Sequence, residues 1–161
     1  MPDNIISTQD EYFMKLAIKE AIKSYNADEV PIGAVIVKNN EIISASSNSV
    51  EKDLSVIMHA EIKALISAQK KLKSWRLNEC TMYATLEPCL MCCGAIILSR
   101  VNRLVYAAPD PKAGAVNSLY TTLSDKRLNH TVETMGGIME KESSQLLKDF
   151  FKIKRIKKIN S

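Results

Sequence analysis

Apolar positions recur along this chain with two alternating periods. Met14, Ala17, Ile18, Ala21 and Ile22 fall at helical spacing after Thr8 and Glu11, a pair with capping-box separation, and predict an amphipathic helix to about Tyr25. Ile32 to Lys38 and Glu41 to Ser46 read as strands, and Asn39-Asn40 between them suits the positive-φ positions of a tight hairpin turn. Ile62, Leu65, Ile66 and Gln69 predict a second helix from His59 to about Leu72, followed by a strand from Thr81 to Leu86. Pro88 suits the first turn of a third helix, which runs to about Ser99. Arg103 to Ala108 and Thr131 to Met135 look extended, with turn-forming residues between Ala108 and His130. Leu146, Leu147, Phe150 and Phe151 mark a last helix from Glu140 to about Lys157. Strands alternating with helices predict a three-layer α/β domain.

Length and composition add bounds to this pattern. With 161 residues, 46% of them apolar, and no internal repeat, Pro-rich linker or low-complexity block, the chain is expected to be a single domain over 1–161. Met1 to Asp10 lack the basic and long apolar segments of a signal peptide, and no apolar run is long enough to span a bilayer. The expectation is an intracellular protein without a membrane partner, in which the four cysteines are thiols or metal ligands instead of disulfides. The formal net charge of +4 is unevenly placed: Lys148, Lys152, Lys154, Arg155, Lys157 and Lys158 face only Asp149 in a basic C-terminal helix at about 140–158. One reading of this tail is a solvated helix face, and the other is a surface for a phosphate-bearing partner, which gains affinity by counterion release.

The candidate chemistry lies in His59-Ala60-Glu61 and Pro88-Cys89-Leu90-Met91-Cys92. A lone His at a helix start is usually structural, and a lone Cys-x-x-Cys is only moderately specific. Together they supply one imidazole and two thiols, three ligands where a structural zinc site normally has four, which leaves a position open for chemistry. His-x-Glu followed by Pro-Cys-x-x-Cys is the established signature of zinc-dependent nucleobase deaminases, in which the Glu is the general acid/base and not a ligand. Cys89 and Cys92, three apart at a helix start, project from one side, where unsatisfied N–H groups favour the thiolate. His59 and Glu61, two apart, would lie on different faces of a regular helix, so the reading requires His59 at the irregular start of its helix. Cys80 and Cys93 are read as structural thiols.

These residues resemble the bacterial tRNA-specific adenosine deaminases of the cytidine deaminase-like superfamily. The resemblance covers nearly the whole chain and is most specific at Thr85-Leu86-Glu87-Pro88-Cys89-Leu90-Met91-Cys92 with Gly94-Ala95. Val30-Pro31-Ile32-Gly33-Ala34-Val35, His59-Ala60-Glu61-Ile62, Leu128-Asn129-His130 and Asp149-Phe150-Phe151 add to it. It implies an α/β/α fold with a central mixed five-stranded sheet, one Zn2+ per subunit held by His59, Cys89 and Cys92, and Glu61 as proton shuttle. It also implies a cytoplasmic homodimer that converts the wobble adenosine (position 34) of a tRNA anticodon arm to inosine.

Three further positions have two readings each. Asn48 follows the second strand where such proteins hold an Asn against the nucleoside, or it is turn polarity in Ser46-Ser47-Asn48-Ser49. Asp110 and Lys112 resemble a loop that meets the anticodon backbone, or form a solvated turn. Of Phe150 and Phe151, at most one is assigned to RNA, because aromatics at helical spacing are more often core. The chain departs from the family pattern at Ser55-Val56-Ile57-Met58, where an Asp-Pro pair and a small residue are usual, and at Cys93, which stays outside the ligand set. Two other functions compete with tRNA deamination: a zinc deaminase of a free base or nucleoside such as guanine or cytosine, and a noncatalytic zinc-stabilised RNA-binding protein.

Overall fold

Ala34 and Ile36 leave one side of strand β1 (Gly33–Lys38) and Val35 and Val37 the other, and each pair is buried in its own core. The central strands are apolar on both faces because helices cover both. In the computed structural model, which describes residues 8–161, helix α1 (Thr8–Asn26) packs Phe13, Met14 and Ala17 against Val35, Tyr83 and Val105. Helices α2 (Ala60–Leu72) and α3 (Leu90–Leu98) cover the opposite face with Ala64, Ala68, Cys93 and Ile96.

The sheet is mixed and five-stranded. β1 is antiparallel both to β2 (Glu41–Ser47) and to β3 (Cys80–Leu86), while β3, β4 (Arg103–Ala108) and β5 (Glu133–Gly136) run parallel in the order β2-β1-β3-β4-β5. Asn39 and Asn40 both have positive φ, 50° and 63°, and close the β1–β2 hairpin as their sequence predicts. Gly33 is required by close approach: a Cβ there would lie 2.0 Å from the Ala17 carbonyl oxygen, so its absence lets α1 lie directly on β1. Arg103 clamps Asp10 through two N–H···O bonds of 2.8 and 3.0 Å and Tyr83 donates to the same carboxylate, joining α1 to β3 and β4.

Helix α4 (Glu140–Ile159) closes the α1 side, with Ser143 donating to the Thr85 carbonyl and Phe150 meeting Tyr25 edge-on. Besides one-residue shifts elsewhere, the starts of two elements move by two residues. β5 starts at Glu133, not Thr131, because its pairing with β4 begins at Arg103 while Val132 turns into the core. Pro88 precedes α3 instead of opening it: its carbonyl accepts Ala115 N–H at 2.9 Å, which draws the backbone sideways and leaves Cys89 as the extended N-cap. Thr8 is already helical, and the residues before it lie outside those described. No helix among the described residues is long and apolar enough to cross a membrane.

Candidate metal centre

Two helix N-termini converge on one point, and the N-cap of each is a candidate ligand. His59 caps α2 and Cys89 caps α3, both with extended backbone and neither with a side-chain capping bond, so imidazole and thiol are left for other duty. This extended His59 meets the geometric condition that the His-x-Glu spacing imposed. Cys92 enters from the first turn of α3, where residues three apart share a face. His59 Nδ1 lies 3.6 Å from Cys89 Sγ and 3.4 Å from Cys92 Sγ, and the three ligand atoms fall within 4.8 Å of one another.

The donor set fits zinc. A tetrahedral ion with bonds of about 2.3 Å to sulfur and about 2.0–2.1 Å to nitrogen places such ligands roughly 3.6 Å apart. One imidazole and two thiolates also make a borderline-soft site of the kind that selects zinc over magnesium or calcium. Cys89 is lowered to about 4 by the hydrogen bond from Cys92, against the effect of burial and with help from His59. Cys92 is raised by that same hydrogen bond and by burial. His59 is raised by its hydrogen bond to Cys89. Holding a divalent cation would require both thiolates and a neutral His59 with its ligating nitrogen free of hydrogen, so affinity for the ion rises with pH.

Glu61 is buried beside this cluster with only 3% of its surface exposed, and desolvation raises its pKa. Its Oε2 has no hydrogen-bond partner among the described residues. A buried carboxylate oxygen without a donor is costly to folding, so its retention here points to a reactive group as its partner. Cys93, by contrast, turns away: its thiol is buried and directed at the Pro88 carbonyl, 3.6 Å distant.

The other substrate-side candidates are placed unevenly. Asn48 is buried after β2 and its Nδ2 donates to the Val30 carbonyl; the next residue's N–H pairs with Met58 O, which sets this turn beside His59. Asp110 Oδ1 accepts the N–H groups of Lys112 and Ala113, a local turn brace, while Lys112 itself is exposed. Phe150 belongs to the core, whereas Phe151 is 44% exposed. The unusual Ser55-Val56-Ile57-Met58 segment is a turn that leaves Val56 and Ile57 exposed.

Sequence reasoning passed over two buried glutamates. Glu29 accepts the N–H groups of Glu51 and Lys52, fastening the turn after β2. Glu87 accepts four N–H groups and one hydroxyl from the loop after β4. Burial would raise Glu87, but the bonds from Ser118, Asn117 and Asp110 outweigh it and hold the carboxyl below its ordinary range. The available signal was an acidic residue at the end of an otherwise apolar strand, just before Pro88.

Comparison with known proteins agrees with this geometry. The family model of the MafB19-like deaminases matches residues 8–155. A tRNA-specific adenosine deaminase of Bacillus subtilis (strain 168) is 48% identical over 151 residues, 94% of each chain. A solved structure from a study of A-to-I editing by tRNA:A34 deaminases at the wobble position of transfer RNA superposes with a TM-score of 0.82 at 41% identity, covering 84% of this chain and 99% of that one. A guanine deaminase from Nitrosomonas europaea superposes with a TM-score of 0.74 at 25% identity, over 87% of this chain and 83% of its own.

Proposed function

Because the chain belongs to the MafB19-like deaminase family and to the tRNA-specific adenosine deaminases, we propose that it hydrolyses the wobble adenosine of a tRNA anticodon to inosine and ammonia. The observation that carries this reading is the buried Glu61, unpartnered at Oε2 among the described residues, beside three convergent zinc-type donors. His59, Cys89 and Cys92 hold the metal. What zinc supplies when bound is Lewis acidity, which brings the pKa of water from about 15.7 to roughly 7. Glu61 accepts the proton of the attacking water and delivers it to adenine N1 as C6 is attacked; it then takes the proton of the new C6 hydroxyl and passes it to the amino group, so that ammonia leaves and the C6 carbonyl of inosine forms. Asn48 and Lys112 contact the nucleotide and its backbone, and Asp110 shapes the turn that presents Lys112.

The same reading takes 1–161 as one deaminase domain, matched by the family model over 8–155, acting beside its tRNA in the cytoplasm. A homodimer would cover Leu54, Val56, Ile57, Leu90 and Leu98, which leave apolar surface open to solvent. An anticodon loop suits a site of this kind because its nucleotides are already unpaired and unstack at low cost. Incubation of the zinc-loaded protein with an anticodon stem-loop bearing a wobble adenosine yields inosine, while free guanine, cytidine and adenosine release no ammonia. Ammonia from free guanine alone would replace this reading with a free-base deaminase.

The exposed cations of α4 supply the electrostatic part of RNA binding. Lys152, Arg155, Lys157 and Lys158 are exposed, whereas Lys154 is paired with Asp28 at 2.7 Å. Replacing Lys152, Arg155, Lys157 and Lys158 by Gln weakens stem-loop binding and flattens the plot of log K against log salt by about 0.7–0.9 for each phosphate that is no longer neutralised. Filter binding from about 50 to about 300 mM salt, a range that brackets physiological ionic strength, checks this. An unchanged slope would return the tail to a solvated helix face.

A further inference from the structure

We propose that Glu87 is a positioning residue whose buried carboxylate holds the 110–118 loop against the Cys89 turn and so sets one wall of the nucleotide opening. This rests on the deaminase reading above. Glu87 is 2% exposed. Its Oε1 accepts Asp110 N–H at 3.1 Å and the Ser118 hydroxyl at 2.5 Å, and its Oε2 accepts the N–H groups of Val116, Asn117 and Ser118 at 3.0–3.1 Å. One anion thus gathers both ends of a loop that has little regular structure of its own.

The loop is also joined to the metal-side backbone. Cys89 and Gly114 form an isolated antiparallel bridge, and Ala115 N–H donates to the Pro88 carbonyl. Gly114 has no room for a side chain, because a Cβ would lie 2.3 Å from Glu87 Cδ and 2.4 Å from Oε2. Gly114 to Val116 are buried where the loop meets the Cys89 turn, while Lys112 and Ala113 before them and Asn117 and Ser118 after them are exposed. A neutral amide at position 87 offers one acceptor and an N–H pair where the loop presents only donors, so the clamp opens without a change of side-chain size. A loosened loop must be ordered again on each binding event, a cost that falls on substrate affinity more than on the bond-making step.

Two readouts test this on the zinc-loaded protein. In Glu87→Gln, tryptic cleavage after Lys112 under native conditions accelerates at least tenfold relative to cleavage after Arg76, an exposed site remote from the loop. The stem-loop KM rises about tenfold, kcat falls less than threefold, and zinc stays at one per chain. Ser118→Ala, which removes a single bond to the same carboxylate, shifts both readouts in the same direction by about threefold, and carries the test if Glu87→Gln does not fold. Unchanged Lys112 cleavage, or a fall in kcat and zinc content with KM constant, would overturn the proposal. If the unmodified protein makes no inosine, the deaminase reading fails by itself, and Lys112 protection then decides whether Glu87 clamps the loop.

Discussion

Glu61→Gln lowers kcat on the anticodon stem-loop about a thousandfold or more and leaves the zinc content at one per chain. Positioned proton transfer contributes about 10²–10⁴ in rate, and one carboxylate here serves two transfers, to N1 and to the leaving amino group, so the loss belongs in the upper part of that range. A thousandfold corresponds to about 4 kcal/mol of barrier. KM changes little, because Glu61 acts on protons in flight and not on the RNA backbone. The variant also separates catalysis from folding. Glu61 is buried with an oxygen that no described donor reaches, so replacing a desolvated carboxylate by a neutral amide leaves the melting temperature of the metal-free protein unchanged or raises it. Inosine yield, zinc analysis and a thermal melt on one preparation check all three. A noncatalytic RNA-binding protein would have no turnover for this substitution to remove, and retained activity in the variant would take the proton-shuttle role from Glu61.

What could be read from the chain followed from local chemistry. Asn39-Asn40 tolerate positive φ and mark the hairpin; His-x-Glu and Pro-Cys-x-x-Cys mark a candidate metal centre by residue type and spacing, and the structure brings the donors of His59, Cys89 and Cys92 to one point. The helix period of Met14, Ala17 and Ala21 marks the face that α1 buries. Less legible were features set by tertiary partners. Pro88 is helix-compatible in sequence, but the distant Ala115 claims its carbonyl. Phe150 and Phe151 are equivalent by composition, and only the packing of Tyr25 separates the core ring from the exposed one. Glu87 lies in the most specific motif stretch, but its clamp was not legible there because most of its partners are backbone N–H groups that any residue supplies. Asp110, similar by resemblance to an RNA contact, also braces its own turn through Oδ1, a bond that the resemblance did not indicate.

Cys89→Ala abolishes both turnover and stoichiometric zinc binding, and it lowers the melting temperature toward that of the chelator-treated unmodified protein. The argument is linkage: a ligand present at about a thousand times its dissociation constant stabilises the folded state by about 4 kcal/mol. For a chain of this length each kcal/mol moves the melting temperature by roughly 2–4 °C, so removal of the metal lowers it by about 10 °C. Two ligands remain in the variant, His59 and Cys92, which is too few to hold zinc at a site that is already one ligand short of closed. Cys89 is the sharpest choice of the three because it caps α3 without a side-chain capping bond of its own, so its sulfur has no other duty, and its backbone also pairs with Gly114. Alanine keeps that backbone pairing, so only the sulfur is removed. The decisive comparison is the response to a chelator: the melt of the unmodified protein falls on treatment, and that of Cys89→Ala does not move. Full zinc occupancy in Cys89→Ala would remove this residue from the ligand set. A chelator-sensitive melt with normal zinc in Cys93→Ala would agree with the orientation of that neighbouring thiol toward Pro88 and away from the centre.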